Sequence, residues 1–470
     1  MLLRRVWNSL RKSSMSQNSE DVDSQELSPA ENLSADVFDL ILQRLGPRGS
    51  AKAAVICRTW RNFVEDERLW ESFLREECGE TWQATVFAET YLRAGLPLRS
   101  VIPGEFTHLP FREIYSQRAH VQRSVIIDGG SGYCKYGWST NSGPSGRSAT
   151  FLEFANIESP IHSRLKHFFS TIYRKLNVKP LAQPLVISTP ICHCDDTQSA
   201  KAARQNLREA IYQVLFDMNV PAICAIDQAV LALYAAQQIS GIVVNIGFQV
   251  TSIVPILCGK VMRNVGVELV GQGALRITGF LSELMHGSGI EFGSMYTVKV
   301  LKENLCYVAE DYHAELLKNT KSSHLVKDEG IFTLSHERFQ ATEILFQPQL
   351  GGIRAMSLHR AVALCIDHCH SFEMEKVVDE GWFKTVVLTG GTACLPGLAA
   401  RLERELHQAL PISISNGIRV LSPPCGPESV WFGGKIVSNM STFPQAWCIT
   451  KKQFRRNGPS FIHAMALDDD

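Results

Sequence analysis

The stretch that most constrains this chain is Val125-Ile126-Ile127-Asp128, a β-branched apolar run that ends on an acid and meets Gly129-Gly130-Ser131-Gly132. A run this short and apolar reads as a buried strand, and the glycines read as a tight turn. From Ser124 onward, such runs alternate with amphipathic helical stretches, the pattern of an α/β fold. A glycine-rich turn after a strand lets backbone N–H groups approach phosphate oxygens, and Lys135 adds a positive charge. Asp128 at the strand end suits a hydrated Mg²⁺ ion. Hairpin turns also carry glycines, so taken alone the segment is a weak signal and a purely structural reading stands ahead of it.

Ahead of this half the texture differs. Residues 1–28 are polar and read as a disordered leader. Within them Arg4, Arg5, Arg11 and Lys12 surround Leu2, Leu3, Val6, Trp7 and Leu10. That short basic amphipathic stretch leaves four readings open: a transit peptide, a membrane-surface helix, a nuclear signal or a frayed tail. Residues 29–75 form a helical module, 76–120 a helical linker, and 121–470 the α/β region. In the module, Ser34 is a candidate N-cap for a helix carrying Val37, Leu40, Ile41 and Leu45 on one stripe and Phe38 and Leu42 on a second. Gly46-Pro47 is expected to stop it, and a second helix is expected from about Ser50 to Val64. A module this small cannot bury two apolar faces by itself, so a neighbour has to cover one.

Leu33-Ser34-Ala35-Asp36-Val37, Ile41, Leu45, Ile56-Cys57-Arg58-Thr59-Trp60 and Leu69-Trp70 resemble the F-box, and Phe111 to Tyr115 resembles the helix that often trails it. That resemblance implies docking to a Skp-type subunit of a cullin-RING ubiquitin ligase through Leu33, Val37, Ile41, Leu45, Ile56, Trp60 and Trp70. The family's usual Leu-Pro is Leu33-Ser34 here, a departure near the expected adaptor surface.

The α/β half carries a longer series. Val125 to Gly137, Ala225-Ile226-Asp227-Gln228 to Tyr234, and Gly241 to Gly247 resemble the strands, loops and helix around the phosphate loops of actin. Glu303 to Ala309, Leu345 to Pro348, Leu388-Thr389-Gly390-Gly391-Thr392, Ser429 to Gly434 and the tail from Trp447 to His463 follow in the order of the actin and actin-related superfamily. The implied fold is actin-like: two RNase H-like halves around a nucleotide cleft, here with a reduced subdomain 2, preceded by a small all-α module. The whole resembles an actin-related protein bearing an N-terminal F-box.

The resemblance also implies a site for ATP or ADP with Mg²⁺. Asp128 would act on the metal through water. Gly130, Ser131, Gly132, Lys135, Gly247, Lys302, Glu303, Gly390, Gly391 and Thr392 would surround the nucleotide. Gln228 keeps a water-placing position. Asn245 replaces the second acid, Phe248-Gln249 replaces Asp-Gly, and Ser252 replaces a histidine, so the catalytic set is degenerate and hydrolysis is not expected. Only about 60 residues separate Asp128 from Pro190, an interval longer in actin, so an actin-type filament is not expected either.

Other signals exclude little more. Lys+Arg and Asp+Glu both number 47 in 470 residues, so no global field favours nucleic acid or an anionic membrane. Thirteen scattered Cys suit a reducing compartment. No apolar run is long enough to span a bilayer. The Cys/His/Asp runs at 192–196 and 365–370 lack paired zinc-ligand spacing. The expected function is a protein-interaction adaptor, with the actin-like body recruiting another protein. The alternatives are a nuclear actin-related structural subunit of a chromatin-associated assembly, and a slow ATPase. The resemblance implies nucleus, nucleolus included, and cytoplasm.

Overall fold

The computed structural model describes residues 34–95, 109–130, 132–150, 159–189, 197–373 and 381–465. Leu33, Ser131, the basic stretch before residue 15 and the run 192–196 lie outside them. The chain divides into two compact units: Met1–Gln83 with His108–Ala119, and Ala84–Thr107 with His120–Asp470.

The first unit is helical. Helix α1 (Ala35–Ala53) starts after Ser34, whose extended backbone suits an N-cap although its hydroxyl makes no capping bond. Gly46-Pro47 ends the first helical piece of this span, as the sequence reading expects, and a second piece follows across a kink. Gly46 takes φ 69°, and Pro47 restarts the helix where its missing N–H costs nothing. The second helix of the sequence reading therefore divides. Its start belongs to α1, a turn follows, and α2 spans Arg58–Val64. Next come α3 (Glu67–Cys78), capped by the Asp66 carboxylate accepting from Arg68 N–H, then α4 (Trp82–Phe87) and α5 (Phe111–Arg118). Phe38 and Leu42 supply the core of α1. Phe38 stacks on Phe63 and meets Trp60 edge-on, and Leu42 joins Ala53, Val64, Leu69, Trp70 and Phe73.

The strands of the second unit are β1 (Val125–Asp128), β2 (Cys134–Trp138), β3 (Gly146–Ser148), β4 (Leu185–Thr189), β5 (Ala222–Asp227), β6 (Gly241–Ile246), β7 (Val250–Leu257), β8 (Lys260–Val261), β9 (Val267–Val270), β10 (Ser322–Val326), β11 (Gly330–Leu334), β12 (Thr385–Thr389), β13 (Arg419–Leu421) and β14 (Ile449–Thr450). One sheet has the order β14-β5-β4-β1-β2-β3. A second has β13-β12-β6-β7-β8, with β9 also on β7, and β10-β11 is a separate hairpin. In each sheet the leading strand is antiparallel to the next and parallel to a later one: β1 to β2 and β4, β6 to β7 and β12. This duplicated topology is what two RNase H-like halves require. The parallel central strands are buried on both faces, which is why they read as unbroken apolar runs.

Helices α6 (Ile161–Lys175), α7 (Gln198–Asp217), α8 (Gln228–Ala235), α9 (Ala274–Gly287), α10 (Met295–Leu305), α11 (Leu358–Glu373), α12 (Leu398–Ala409) and α13 (Ser429–Ser438) cover these sheets. Phe168, Phe169, Ile172 and Leu215 pack on the first sheet, and Ile277, Leu281, Val362 and Ile366 on the second. Helix α8 touches β4, β5, β6 and β12, so it joins the halves, and α13 packs along it. Gly433 makes that crossing possible: a Cβ there would fall 1.9 Å from the Leu231 carbonyl oxygen.

Candidate functional site

The parallel strands β1 and β4 end side by side, in register from Val125 opposite Leu185 to Asp128 opposite Ser188. That register sets the first half of the site. The Ser188 hydroxyl donates to Asp128 Oδ1 at 2.9 Å and accepts from Gly129 N–H at 2.8 Å, fixing the first glycine turn. Gln228, at the start of α8, donates from Nε2 to the same Asp128 oxygen at 3.0 Å. Lys135 Nζ lies 3.7 Å from Asp128 Oδ2 and donates to the Pro427 carbonyl. Asp128 thus holds Gln228 by a hydrogen bond and Lys135 by an ion pair, with the acid and the lysine buried. Gly130 and Gly132 lie on the turn beside them.

The second half comes from β6, β7 and the turn between them. Asn245 sits opposite Ser252 in the antiparallel pair and opposite Thr389 in the parallel one. Gly390 takes φ +95°, and a Cβ there would fall 2.4 Å from the Ile246 carbonyl oxygen, so this approach needs glycine. Gly247 and Phe248 turn their carbonyls to the start of α9, accepting from Ala274 N–H and Leu275 N–H at 2.9 Å each. Phe248 reaches the other loop. A Cβ on Gly132 would lie 3.4 Å from Phe248 Cβ and 3.5 Å from its Cγ. The phenylalanine thus stands over the first glycine turn, where the family pattern has an acid.

The remaining positions differ in availability. Lys302 is buried, and burial lowers its pKa from the usual lysine range. Its Nζ donates to Thr278 Oγ1 at 2.9 Å and to the Ala274 carbonyl at 3.2 Å, so the charge is spent inside the protein. Glu303 is exposed and faces Lys299 at 3.9 Å. Gly391 borders open space, and the Thr392 hydroxyl is buried with no hydrogen-bond partner among the described residues. That orphan hydroxyl, Gly391 and Lys135 suit an anionic ligand. A hydrolysable magnesium nucleotide needs more: a second metal-organising acid, where position 245 carries an amide, and polar groups beside the glycine turn, where the half-open Phe248 ring lies instead. The residues present do not fit that group.

The sequence reading missed Asp227. It ends β5 beside Gln228 and is buried. Its carboxylate accepts from Thr189 Oγ1 at 2.8 Å and from Arg263 Nη2 at 2.9 Å, and Arg208 Nη2 stands 3.8 Å away. The available signal was a second acid next to Gln228, inside an otherwise apolar strand.

Residues matching 164–300 and 284–466 fit the sequence model of the family described as Actin. The chain belongs to the actin family. The match begins beyond the first glycine turn, so the Asp128 cluster rests on the geometry above. Relatives of this actin-family chain extend further. Proteins named Actin-related protein 8 from Oryza sativa subsp. indica and subsp. japonica are each 57% identical over 439 residues, covering 92% of this chain and 90% of their own. The protein of the same name from Arabidopsis thaliana is 57% identical over 470 residues, covering 97% of this chain and 99% of its own. That coverage takes in the helical unit as well as the actin-like one.

Within the helical unit, the residues read as partner-binding separate into two groups. Val37 and Ile56 are exposed, as are Leu40 and Val55, while Ile41 and Leu45 are half-buried. Trp70 is in the core, its indole N–H donating to the Val64 carbonyl at 2.6 Å, and Trp60 packs on Phe38. No described helix is long and apolar enough to cross a membrane.

Proposed function

We propose that this chain is an actin-related structural subunit that binds other proteins and does not turn over ATP. Phe248 carries the reading: it lies against Gly132 where a phosphate chain would pass, with Asn245 in place of an acid behind it. A protein that keeps the two-lobed frame but sets an amide and an aromatic ring where metal chemistry needs carboxylates retains shape as its useful property. The rice and Arabidopsis relatives are likewise named as actin-related proteins, and we propose that the protein acts in the nucleus, within a larger chromatin-associated assembly. Affinity purification of the full chain with mass spectrometry tests it. Recovery of a stable multi-subunit nuclear complex supports the reading, and recovery of monomeric protein alone defeats it.

A second reading concerns the helical unit: docking of a Skp-type adaptor, with the chain as the recruiting arm of a cullin-RING ubiquitin ligase. The observation favouring it is the exposure of Val37, Leu40, Val55 and Ile56 on a unit whose core is closed by Phe38, Leu42 and Trp70. Comparing the full chain with one lacking residues 29–75 separates the readings. Ligase components lost with the deletion favour the adaptor, and chromatin-associated subunits kept by both versions favour the structural subunit.

A further inference from the structure

Two thiols face each other at the edge of the first sheet. Strand β14 runs antiparallel to β5, with Ile449 opposite Ile223 and Thr450 opposite Ala222. One step along the same register, Cys448 falls opposite Cys224. The Lys451 N–H donates to the Pro221 carbonyl at 3.1 Å, so 451 and 221 are a hydrogen-bonded pair. Such pairs alternate along an antiparallel ladder, which makes Cys448 and Cys224 a non-hydrogen-bonded pair. The Cys448 N–H accordingly turns away and donates to the Pro444 carbonyl at 2.8 Å. In a pair of this kind the Cα atoms stand about 4.5 Å apart with both side chains on one face. A disulfide spans roughly 4.4–6.8 Å between Cα atoms. The backbone therefore holds the two sulfurs where a bond between them needs little movement.

Both cysteines are free and buried. Burial pushes the Cys448 thiol well above its ordinary pKa, and the Cys224 thiol beside it adds to the rise. A thiol held protonated is a poor nucleophile, so the closed pair is inert. Access comes from the edge. Strand β14 is two residues long and outermost in its sheet. A short edge strand opens at far lower cost than the whole fold. The helix Lys451–Asn457 follows at once, and its buried Phe454 packs on Phe216 of α7, 4.9 Å between ring centres. A bond from Cys448 to β5 thus fixes the point from which this C-terminal stretch docks.

We propose that Cys224 and Cys448 are a redox pair, and that oxidation by a hydroperoxide locks β14 to β5. When the edge opens, one thiol gives its proton to water, and the thiolate attacks a peroxide oxygen. The O–O bond breaks, the alcohol or water leaves, and a sulfenic acid remains. As the strand reseats, the second sulfur attacks the first, the S–S bond forms, and the S–O bond breaks with loss of water. Two thiols are oxidised by two electrons, and the peroxide is reduced. Nothing in this depends on what the nucleotide cleft or the helical unit binds.

The test uses the reduced full chain in native buffer, treated with hydrogen peroxide and then blocked with an alkylating agent. Peptide mapping without reductant should recover a Cys224–Cys448 linkage that dithiothreitol removes. Hydrogen exchange with mass spectrometry should show amides of 447–454 exchanging about tenfold or more slowly in the oxidised chain than in the reduced one. The Cys224→Ser full chain, treated alike, should show no slowing. A linkage found only in urea-unfolded chain, while the exposed Cys57 and Cys394 are oxidised in the native one, would overturn the proposal. So would a linkage that leaves exchange at 447–454 unchanged, or equal slowing in Cys224→Ser.

Discussion

Arg263 Nη2 donates to Asp227 Oδ2 at 2.9 Å, and the two side chains are equally sheltered, each 9% exposed. Asp227 closes β5 in the first sheet, and Arg263 follows β8 in the second, so this ion pair ties the halves beside Gln228. Removing one member of a buried pair strands the other, at a cost of about 3–5 kcal/mol. Asp227→Ala should lower the urea midpoint accordingly, and Asp227→Ala with Arg263→Met should recover part of the loss. Equal midpoints for Asp227→Ala and the unaltered chain would show that the bridge does not hold the halves.

A second buried pair lies among α12 and its neighbours. Arg401 Nη2 meets Glu343 Oε1 at 3.1 Å, Nη1 donates to the Ala309 carbonyl at 2.8 Å, and Nε meets Glu405 at 2.7 Å. Burial raises the pKa of Glu343 although Arg401 opposes it, so desolvation is the larger influence there. Arg401→Met, which leaves Glu343 buried and unpaired, should cost about 3–5 kcal/mol by chemical denaturation, whereas Arg404→Met on the same helix should cost well under about 1 kcal/mol.

Lys302 gives a pH dependence. Its folded pKa is lowered by burial, so between that value and the unfolded value of 10.5 the unfolded chain holds a proton the folded chain has released. Stability then rises with pH across that window, since the slope follows protons bound unfolded minus folded. The Lys302→Met chain should lose this rise in urea midpoints measured on the alkaline side of neutrality. An unchanged slope would assign the rise to another group.

The nucleotide site makes a chemical test. Purified full chain with ATP and Mg²⁺ should release phosphate no faster than buffer, and Asp128→Ala should change nothing. Asp128-dependent release would restore the slow-ATPase reading.

The helical unit separates core from surface. Phe38→Ala should cost about 3–5 kcal/mol, because it empties a filled site. Leu40→Asp, at an exposed position, should leave the denaturation curve nearly unchanged. Loss of a co-purifying protein with Leu40→Asp alone would mark that face as a docking surface.

Taken by itself, the sequence determined the α/β architecture, because buried parallel strands must be apolar on both faces and their β-branched runs are therefore visible in one dimension. It also supplied the expectation of a degenerate catalytic set, since residue types such as Asn245 and Phe248 are legible without coordinates. Tertiary structure decided the rest. Which apolar stripe of α1 is core was fixed by Phe63 and Trp60, residues 22 or more positions away from Phe38. The Asp227–Arg263 bridge, Phe248 over Gly132 and Cys448 opposite Cys224 join residues far apart in the chain, and such contacts arise only when separate elements close on one another.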